Sequence, residues 1–212
     1  MRKTFALFFL LALLLALALV GCDGKKPATS QKQTNTSSID ITAEFTDENF
    51  KAVVYEVIGK QHGSAIFVSD VSDILVLKVG GSNIASLAGV EYFAALEVLV
   101  CASVGLTSLD VSQNTALKEI NCTNNRLTSL VISKNTALEV ISCGMNHLTS
   151  LDVSKNIALV RLSCYKNQLT SLDVSNNKAL RFLSCEDNYL TEEPTGVENL
   201  DLEKYDFYPQ NR

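Results

Sequence analysis

Hydrophobic residues recur along this chain with a fixed step of 21 residues, and that step predicts the fold. Leucine opens five segments that read LTSLDVS, LTSLVIS, LTSLDVS, LTSLDVS and LTEEPTG, at Leu106, Leu127, Leu148, Leu169 and Leu190. Cysteine and asparagine keep the same step, at Cys101, Cys122, Cys143, Cys164 and Cys185 and at Asn125, Asn146, Asn167 and Asn188. A constant period in the twenties is typical of a solenoid, in which each repeat forms one coil and covers the apolar face of its neighbour.

Each repeat contains two apolar segments. In the repeat that begins at Leu138, the alternation of Leu138, Ile141 and Cys143 predicts a short strand with every second side chain turned inward. The LTSLDVS segment, here called the return segment, is expected to run back along the other side of the coil and to bury its leucines and valine. We expect the asparagine after the strand to turn the chain, with its side-chain amide bonded to main-chain groups of the next coil.

The repeats are less regular at both ends of the array. The first, Ile74–Ala95, is one residue longer, and Val79 stands in the cysteine slot. In the last, residues 197–212, we place Leu202 in the cysteine slot, so that Asp201, Glu203 and Lys204 face outward. The inward slots of this last repeat then hold Val197, Leu200, Leu202, Tyr205 and Phe207.

Residues 41–73 show a helical pattern instead. The apolar stripe of the predicted helix comprises Phe50, Val53, Val54, Val57 and Ile58. Thr46 or Asp47 can cap the start of this helix, and Gly59 can end it. Because the first coil of an array exposes an apolar face, we expect residues 41–73 to cap it.

These patterns resemble the leucine-rich repeats of bacterial internalin-like surface proteins, in their 21-residue form. The resemblance rests on the repeated Leu, Cys and Asn positions of residues 74–196 and on the helical opening FTDENFKAVVYEVI. It implies a leucine-rich repeat solenoid with a parallel β-sheet on its concave face, short irregular or extended returns on the convex face, and a small helical N-terminal cap. It also implies that the concave sheet binds another macromolecule.

The N-terminal residues predict export and lipid anchoring. Arg2 and Lys3 precede an apolar run, so residues 1–21 are expected to form a signal peptide. The run ends in Leu19-Val20-Gly21-Cys22, which resembles the lipobox of bacterial lipoproteins and implies lipidation of Cys22. An ordinary secreted protein with an incidental cysteine and an uncleaved anchor are the alternatives.

Residues 22–40 are polar and rich in Ser, Thr and Gln, which predicts a flexible linker from the anchor to the cap. The expected location is the bacterial cell envelope, at the outer membrane or the cell surface.

The charge and the residue composition of the chain argue against two classes of function, nucleic-acid binding and catalysis. The net charge is -5, and no run of basic residues exceeds Lys25-Lys26, so a nucleic-acid partner is not expected. The chain has two histidines, His62 and His147, and we find no paired nucleophile and base, no Gly-rich phosphate loop and no cofactor motif. We therefore expect no enzymatic activity. The protein is also expected to be a monomer.

The repeated cysteines allow three interpretations. They can form a ladder of small buried thiols, disulfides between neighbouring coils, or a metal site. A row of thiols does not surround an ion tetrahedrally, and stacked side chains run parallel, so we favour the buried ladder. The aspartates of the return segments, Asp110, Asp152 and Asp173, either face solvent or hold calcium; we favour the first and predict no metal.

We expect partner specificity to depend on positions at which packing does not determine the residue type. The outward positions of the predicted strands vary from coil to coil, and over three coils they include aromatic and basic residues, which are common anchors of interfaces. We name this predicted binding site the face patch; it comprises Val140, Met145, Arg161, Tyr165, Lys166 and Phe182. The predicted function is recognition of a protein or glycan, as in adhesion, and the alternative is a structural or scaffolding lipoprotein of the envelope.

Overall fold

The computed structural model of the chain describes residues 38–81 and 83–211. The predicted signal peptide, the lipidation site Cys22 and all but the last three residues of the predicted linker lie outside these ranges. Within them, no helix combines the length and the apolar character needed to cross a membrane.

Helix α1 (Glu48–Ile58) begins after Asp47, whose carboxylate accepts hydrogen bonds from the main-chain N–H groups of Asn49 and Phe50, both at 3.0 Å. It ends at Gly59, which takes the left-handed conformation with φ of 66°. The predicted stripe is partly wrong, because Val57 is 41% exposed and Tyr55 is buried in its place. Burial of Tyr55 is possible since its hydroxyl donates to the carbonyl of Ser64 at 2.8 Å.

Contacts of α1 tie it to the first coil. The second carboxylate oxygen of Asp47 accepts from the main-chain N–H of Ala85 at 2.9 Å, and the Asn49 side chain donates to the carbonyl of Asn83 at 3.0 Å. A short helix, α2 (Val68–Val71), follows and leads into the first strand. The buried side chains of both helices belong to the same hydrophobic cluster as the repeats.

Seven parallel strands of three residues each form one sheet in chain order. Neighbouring strands are offset by 21 residues, except at both ends, where Val76 pairs with Val98 and Phe182 pairs with Lys204. The predicted leucine-rich repeat solenoid with a parallel sheet is confirmed. The strands are β1 (Val76–Lys78), β2 (Val98–Val100), β3 (Glu119–Asn121), β4 (Val140–Ser142), β5 (Arg161–Ser163), β6 (Phe182–Ser184) and β7 (Lys204–Asp206).

The return segments are extended but form only isolated bridges, such as that between Asp110 and Val131. Their leucines are buried, as predicted, and so are the residues at the third apolar position, Val111, Ile132, Val153 and Val174. The first and last returns differ, since each carries the sequence Gly-Val-Glu and forms a three-residue 3-10 helix, Val90–Tyr92 or Val197–Asn199. Gly89 and Gly196, which precede these helices, have φ of 102° and 87°, a conformation that favours glycine.

The predicted alignment of the last coil is wrong. The register of β6 with β7 places Phe207, not Leu202, in the cysteine slot, and it places Lys204 and Asp206 on the outward face. The cause is the return around Gly196, which uses a full 22-residue step where we assumed a shortened one. In the first coil, Val79 follows the register of Cys101, as predicted.

Candidate functional site

Asparagine side chains hold consecutive coils together at the end of each strand. The amide of Asn146 donates to the carbonyls of Cys122 and Cys143, both at 3.0 Å, and its oxygen accepts from the N–H of Leu127 at 3.0 Å. Asn125, Asn167 and Asn188 repeat this arrangement.

These asparagines bind the preceding coil and their own coil, so the predicted direction, toward the next coil, is wrong. Within a parallel sheet, the N–H and carbonyl of one residue point to the same neighbouring strand. Because the N–H of Cys143 donates to Ser163 of the next coil, its carbonyl also points there and meets Asn167.

A second column of asparagines was not predicted. Its members lie in the returns, are fully buried and keep the same step, at Asn114, Asn135, Asn156 and Asn177. The amide of Asn156 donates to the carbonyls of Ile132 and Asn135 at 3.1 and 2.9 Å, whereas its oxygen has no partner. The 21-residue step of these asparagines was the available signal, but we followed only the asparagines that come after the strands.

The five ladder cysteines lie side by side in the core as free thiols, each fully buried. Burial raises the pKa of Cys122 to about 12, so the thiol stays protonated and unreactive at neutral pH. In the part of the chain that the structure describes, no three His, Cys, Asp or Glu side chains converge as metal ligands would.

The outward side of the sheet, here called the sheet face, carries three members of the face patch in one row. Val140, Arg161 and Phe182 are direct register partners on β4, β5 and β6. The guanidinium carbon of Arg161 lies 4.0 Å from the centroid of the Phe182 ring, a cation–π contact. This contact favours the stacked position of the guanidinium on the sheet face.

Tyr165 lies just beyond the end of β5, two outward positions after Arg161, and its ring covers Gly144 of the preceding coil. A Cβ atom at Gly144 would lie only 2.4 Å from the Cε1 atom of Tyr165. Gly144 is accordingly buried although it occupies an outward position. The absence of a side chain at residue 144 therefore sets the position of the Tyr165 ring.

Met145 and Lys166 lie on turns beyond the carboxyl ends of β4 and β5 rather than on the strands. Both have left-handed backbones, with φ of 56° and 50°, which side-chain-bearing residues seldom adopt. Their N–H groups donate to the carbonyls of Tyr165 and Glu186 of the following coils at 2.8 and 3.0 Å, which stabilises the turns. These two residues form the rim of the face patch.

The aspartates of the returns have a local role. The carboxylate of Asp152 accepts from the main-chain N–H of Ser154 at 2.9 Å, and hydrogen bonding to the Ser154 side chain and main chain lowers its pKa. Asp110 and Asp173 accept in the same way from Ser112 and Ser175. All three are exposed.

Comparison with solved structures places this geometry among leucine-rich repeat proteins. The functional domain of InlJ from Listeria monocytogenes, which includes a cysteine ladder, superposes with a TM-score of 0.72 at 29% identity, over 84% of this chain and 45% of that one. A leucine-rich repeat protein of Leptospira interrogans gives a TM-score of 0.60 at 27% identity, over 63% of this chain and 37% of that one. The chain thus spans less than half the length of either protein. The predicted resemblance to internalin-like leucine-rich repeat proteins is confirmed.

A plant protein shares the fold alone. The leucine-rich repeat ectodomain of the receptor kinase GASSHO1/SCHENGEN3 from Arabidopsis thaliana, solved in complex with CASPARIAN STRIP INTEGRITY FACTOR 2, has a TM-score of 0.53 at 20% identity, over 69% of this chain and 23% of that one. No protein-family model matches the chain. No curated protein matches it either.

Proposed function

We propose that this cysteine-ladder leucine-rich repeat protein binds a protein partner through its sheet face and catalyses no reaction. The observation that carries the proposal is the face patch: Arg161 is held on Phe182, and Tyr165 is held over Gly144. Ordering both side chains before binding reduces the entropy lost on association. Aromatic and arginine side chains are the residue types that most often dominate binding energy.

The fold supports the same function. Solenoids offer an extended regular surface to large partners, and their outward residues can change without loss of the core. From β2 to β6 the outward row through Val140, Arg161 and Phe182 changes in every coil, whereas the buried residue in the middle of each strand stays aliphatic. The similar bacterial structures share this architecture over most of the chain.

The test compares two triple variants with the native protein. Purified protein is incubated with envelope and surface extracts, and retained proteins are identified by mass spectrometry. We expect Arg161→Ala, Tyr165→Ala and Phe182→Ala together to abolish retention of the specific partner.

Thr128→Ala, Thr149→Ala and Thr170→Ala together form the matched control. These threonines are exposed on the returns, and in the described part of the chain their hydroxyls make no hydrogen bond. The control should retain the partner fully. Equal retention by all three proteins would contradict the proposal.

We further propose that the solenoid is anchored to the envelope through a lipid on Cys22 and is displayed at the outer membrane or the cell surface. Support comes from the lipobox-like sequence before Cys22 alone. Intact-protein mass spectrometry of the membrane fraction should show an acylated chain that begins at residue 22, and Cys22→Ser should move the protein out of that fraction. An unmodified N-terminus in the membrane fraction would contradict the anchor.

The accessibility of the solenoid on intact cells distinguishes a function in adhesion from one in scaffolding. Protease added to intact cells should release the solenoid if it faces outward. A protected solenoid that remains attached to envelope components would favour the scaffolding function instead.

A further inference from the structure

Arg161 occupies the centre of the face patch, and none of the residues that the structure describes accepts a hydrogen bond from its side chain. Its neighbours in register are Val140 and Phe182, neither of which can accept a hydrogen bond from the guanidinium. The Phe182 ring, 4.0 Å from the guanidinium carbon, covers one flat side of the group. The edge of a guanidinium carries five N–H donors in a fixed fork.

Three of the other cations near the sheet are already engaged. Lys118 pairs with Glu97 at 2.9 Å, Lys204 pairs with Asp206 at 2.8 Å, and Arg181 donates to the carbonyl of Asp201 at 3.2 Å. Among residues 38–81 and 83–211, by contrast, the Arg161 guanidinium has neither an ion pair nor a hydrogen bond. It stays unpaired although the chain carries a net charge of -5.

We infer that Arg161 binds a carboxylate of an aspartate or glutamate side chain on the protein partner. The guanidinium fork matches the two oxygens of a carboxylate, and an arginine that is fixed by stacking loses little freedom when the two bonds form. This inference rests on the proposed function of the sheet face.

The surroundings of Arg161 favour a protein as the source of the carboxylate. Val140 and Phe182 on either side are apolar and partly exposed, so they offer contact area to the apolar groups beside an acidic side chain. A partner docked over these residues also removes water from the ion pair, which strengthens it relative to a fully exposed pair.

The experiment selects peptides from a random display library on the full chain and, separately, on its Arg161→Gln variant. Peptides enriched on the native chain should contain Asp or Glu, and Arg161→Gln should weaken their binding roughly 30-fold, as expected for an interface anchor. Arg161→Lys keeps the charge but not the fork, so we expect about a tenfold loss.

Arg126→Gln is the matched control, because Arg126 is exposed on a turn outside the strands of the sheet face and should leave binding unchanged. Circular dichroism and thermal unfolding of each variant verify that the solenoid is intact.

The outcomes separate this inference from the proposed function. Peptides whose binding requires Tyr165 and Phe182 could lack acidic residues, or could bind Arg161→Gln as well as the native chain. Either result would overturn the carboxylate inference but would still support the sheet face as the binding surface. The native chain could instead bind acidic glycans on an array, with the binding lost in Arg161→Gln, while the library yields no acidic peptides. That result would overturn the choice of a protein as the source of the carboxylate. Failure to enrich any peptide that depends on the sheet face would contradict both.

Discussion

The inward columns and the sheet face repeat with the same 21-residue step, but they differ in how far the residue type varies from coil to coil. Inward, the same cysteine and asparagine return in coil after coil and are buried. Outward, one row alone reads Val98, Glu119, Val140, Arg161 and Phe182. A buried slot has the same size and the same bonding partners in each coil, so one residue type fits it, whereas the outward positions have no such restriction. The repeated inward residues thus stabilise the coils, and the proposed recognition uses the outward positions that vary between them.

The largest effect is expected inside, from Asn146→Ala. This change removes the hydrogen-bond acceptor of the fully buried Leu127 N–H, whereas the carbonyls of Cys122 and Cys143 each keep one bond, from Asn125 and Asn167. An orphaned buried N–H together with a cavity should lower the free energy of unfolding by about 3 kcal/mol. Urea unfolding followed by circular dichroism measures this loss.

Asn156→Ala is the matched comparison within the second asparagine column. The carbonyls of Ile132 and Asn135 keep their bonds from the N–H groups of Asn135 and Leu138, and no donor loses its acceptor. We expect a loss of about 1 kcal/mol, which reflects the cavity and the weaker bonds. Equal losses at residues 146 and 156 would contradict the distinct roles of the two columns.

The difference between inward and outward positions also explains how much of the structure could be predicted from the sequence alone. Packing imposes the period, so the inward slots and the register of β1 to β6 followed directly from the spacing of Leu, Ile and Cys. The register of the last coil could not be predicted from this spacing, because the turn at Gly196 determines whether Leu202 or Phe207 reaches the cysteine slot.

The contacts of the face patch depend on side-chain directions that no period encodes. The seating of Tyr165 on Gly144 and of Arg161 on Phe182 was therefore visible only in three dimensions. The residues themselves were identified from their variation between coils. The direction of the asparagine bonds was equally hidden, because the repeat pattern is compatible with bonds to either neighbouring coil.

A second prediction concerns pH and the ladder thiols. Burial raises the pKa of Cys122 from 9.0 to about 12, so above pH 9 the unfolded chain ionises this thiol while the folded chain does not. Its contribution to stability is complete below pH 9 and is lost as the pH rises toward 12, by about 1.4 kcal/mol per pH unit. Unfolding in urea at about pH 8 and about pH 10 should show the loss.

Cys122→Ala isolates the contribution of one thiol from that of lysines and tyrosines, which titrate in the same range. The variant should lose about 1 kcal/mol less than the native chain between the two pH values. An identical pH dependence in both proteins would contradict protonated burial of this thiol.

The smallest effect on stability is expected outside, at Gly144 and Tyr165. Gly144→Ala should displace the Tyr165 ring and weaken partner binding about as much as Tyr165→Ala does, while each change alters the free energy of unfolding by no more than about 1 kcal/mol. In a Tyr165→Ala background, Gly144→Ala should have no further effect on binding. Additive losses would show that Gly144 acts other than through the tyrosine.

The most direct measurement places a photo-crosslinking residue at Ser163, between Arg161 and Tyr165 on β5, or at Ser150, which is exposed on a return. After irradiation of cells that contain the full chain, we predict a discrete adduct from residue 163 and none from residue 150. The residue-163 adduct should also disappear with Arg161→Ala and Phe182→Ala. An adduct from residue 150 alone, or one from residue 163 that persists in the double variant, would contradict recognition through the sheet face.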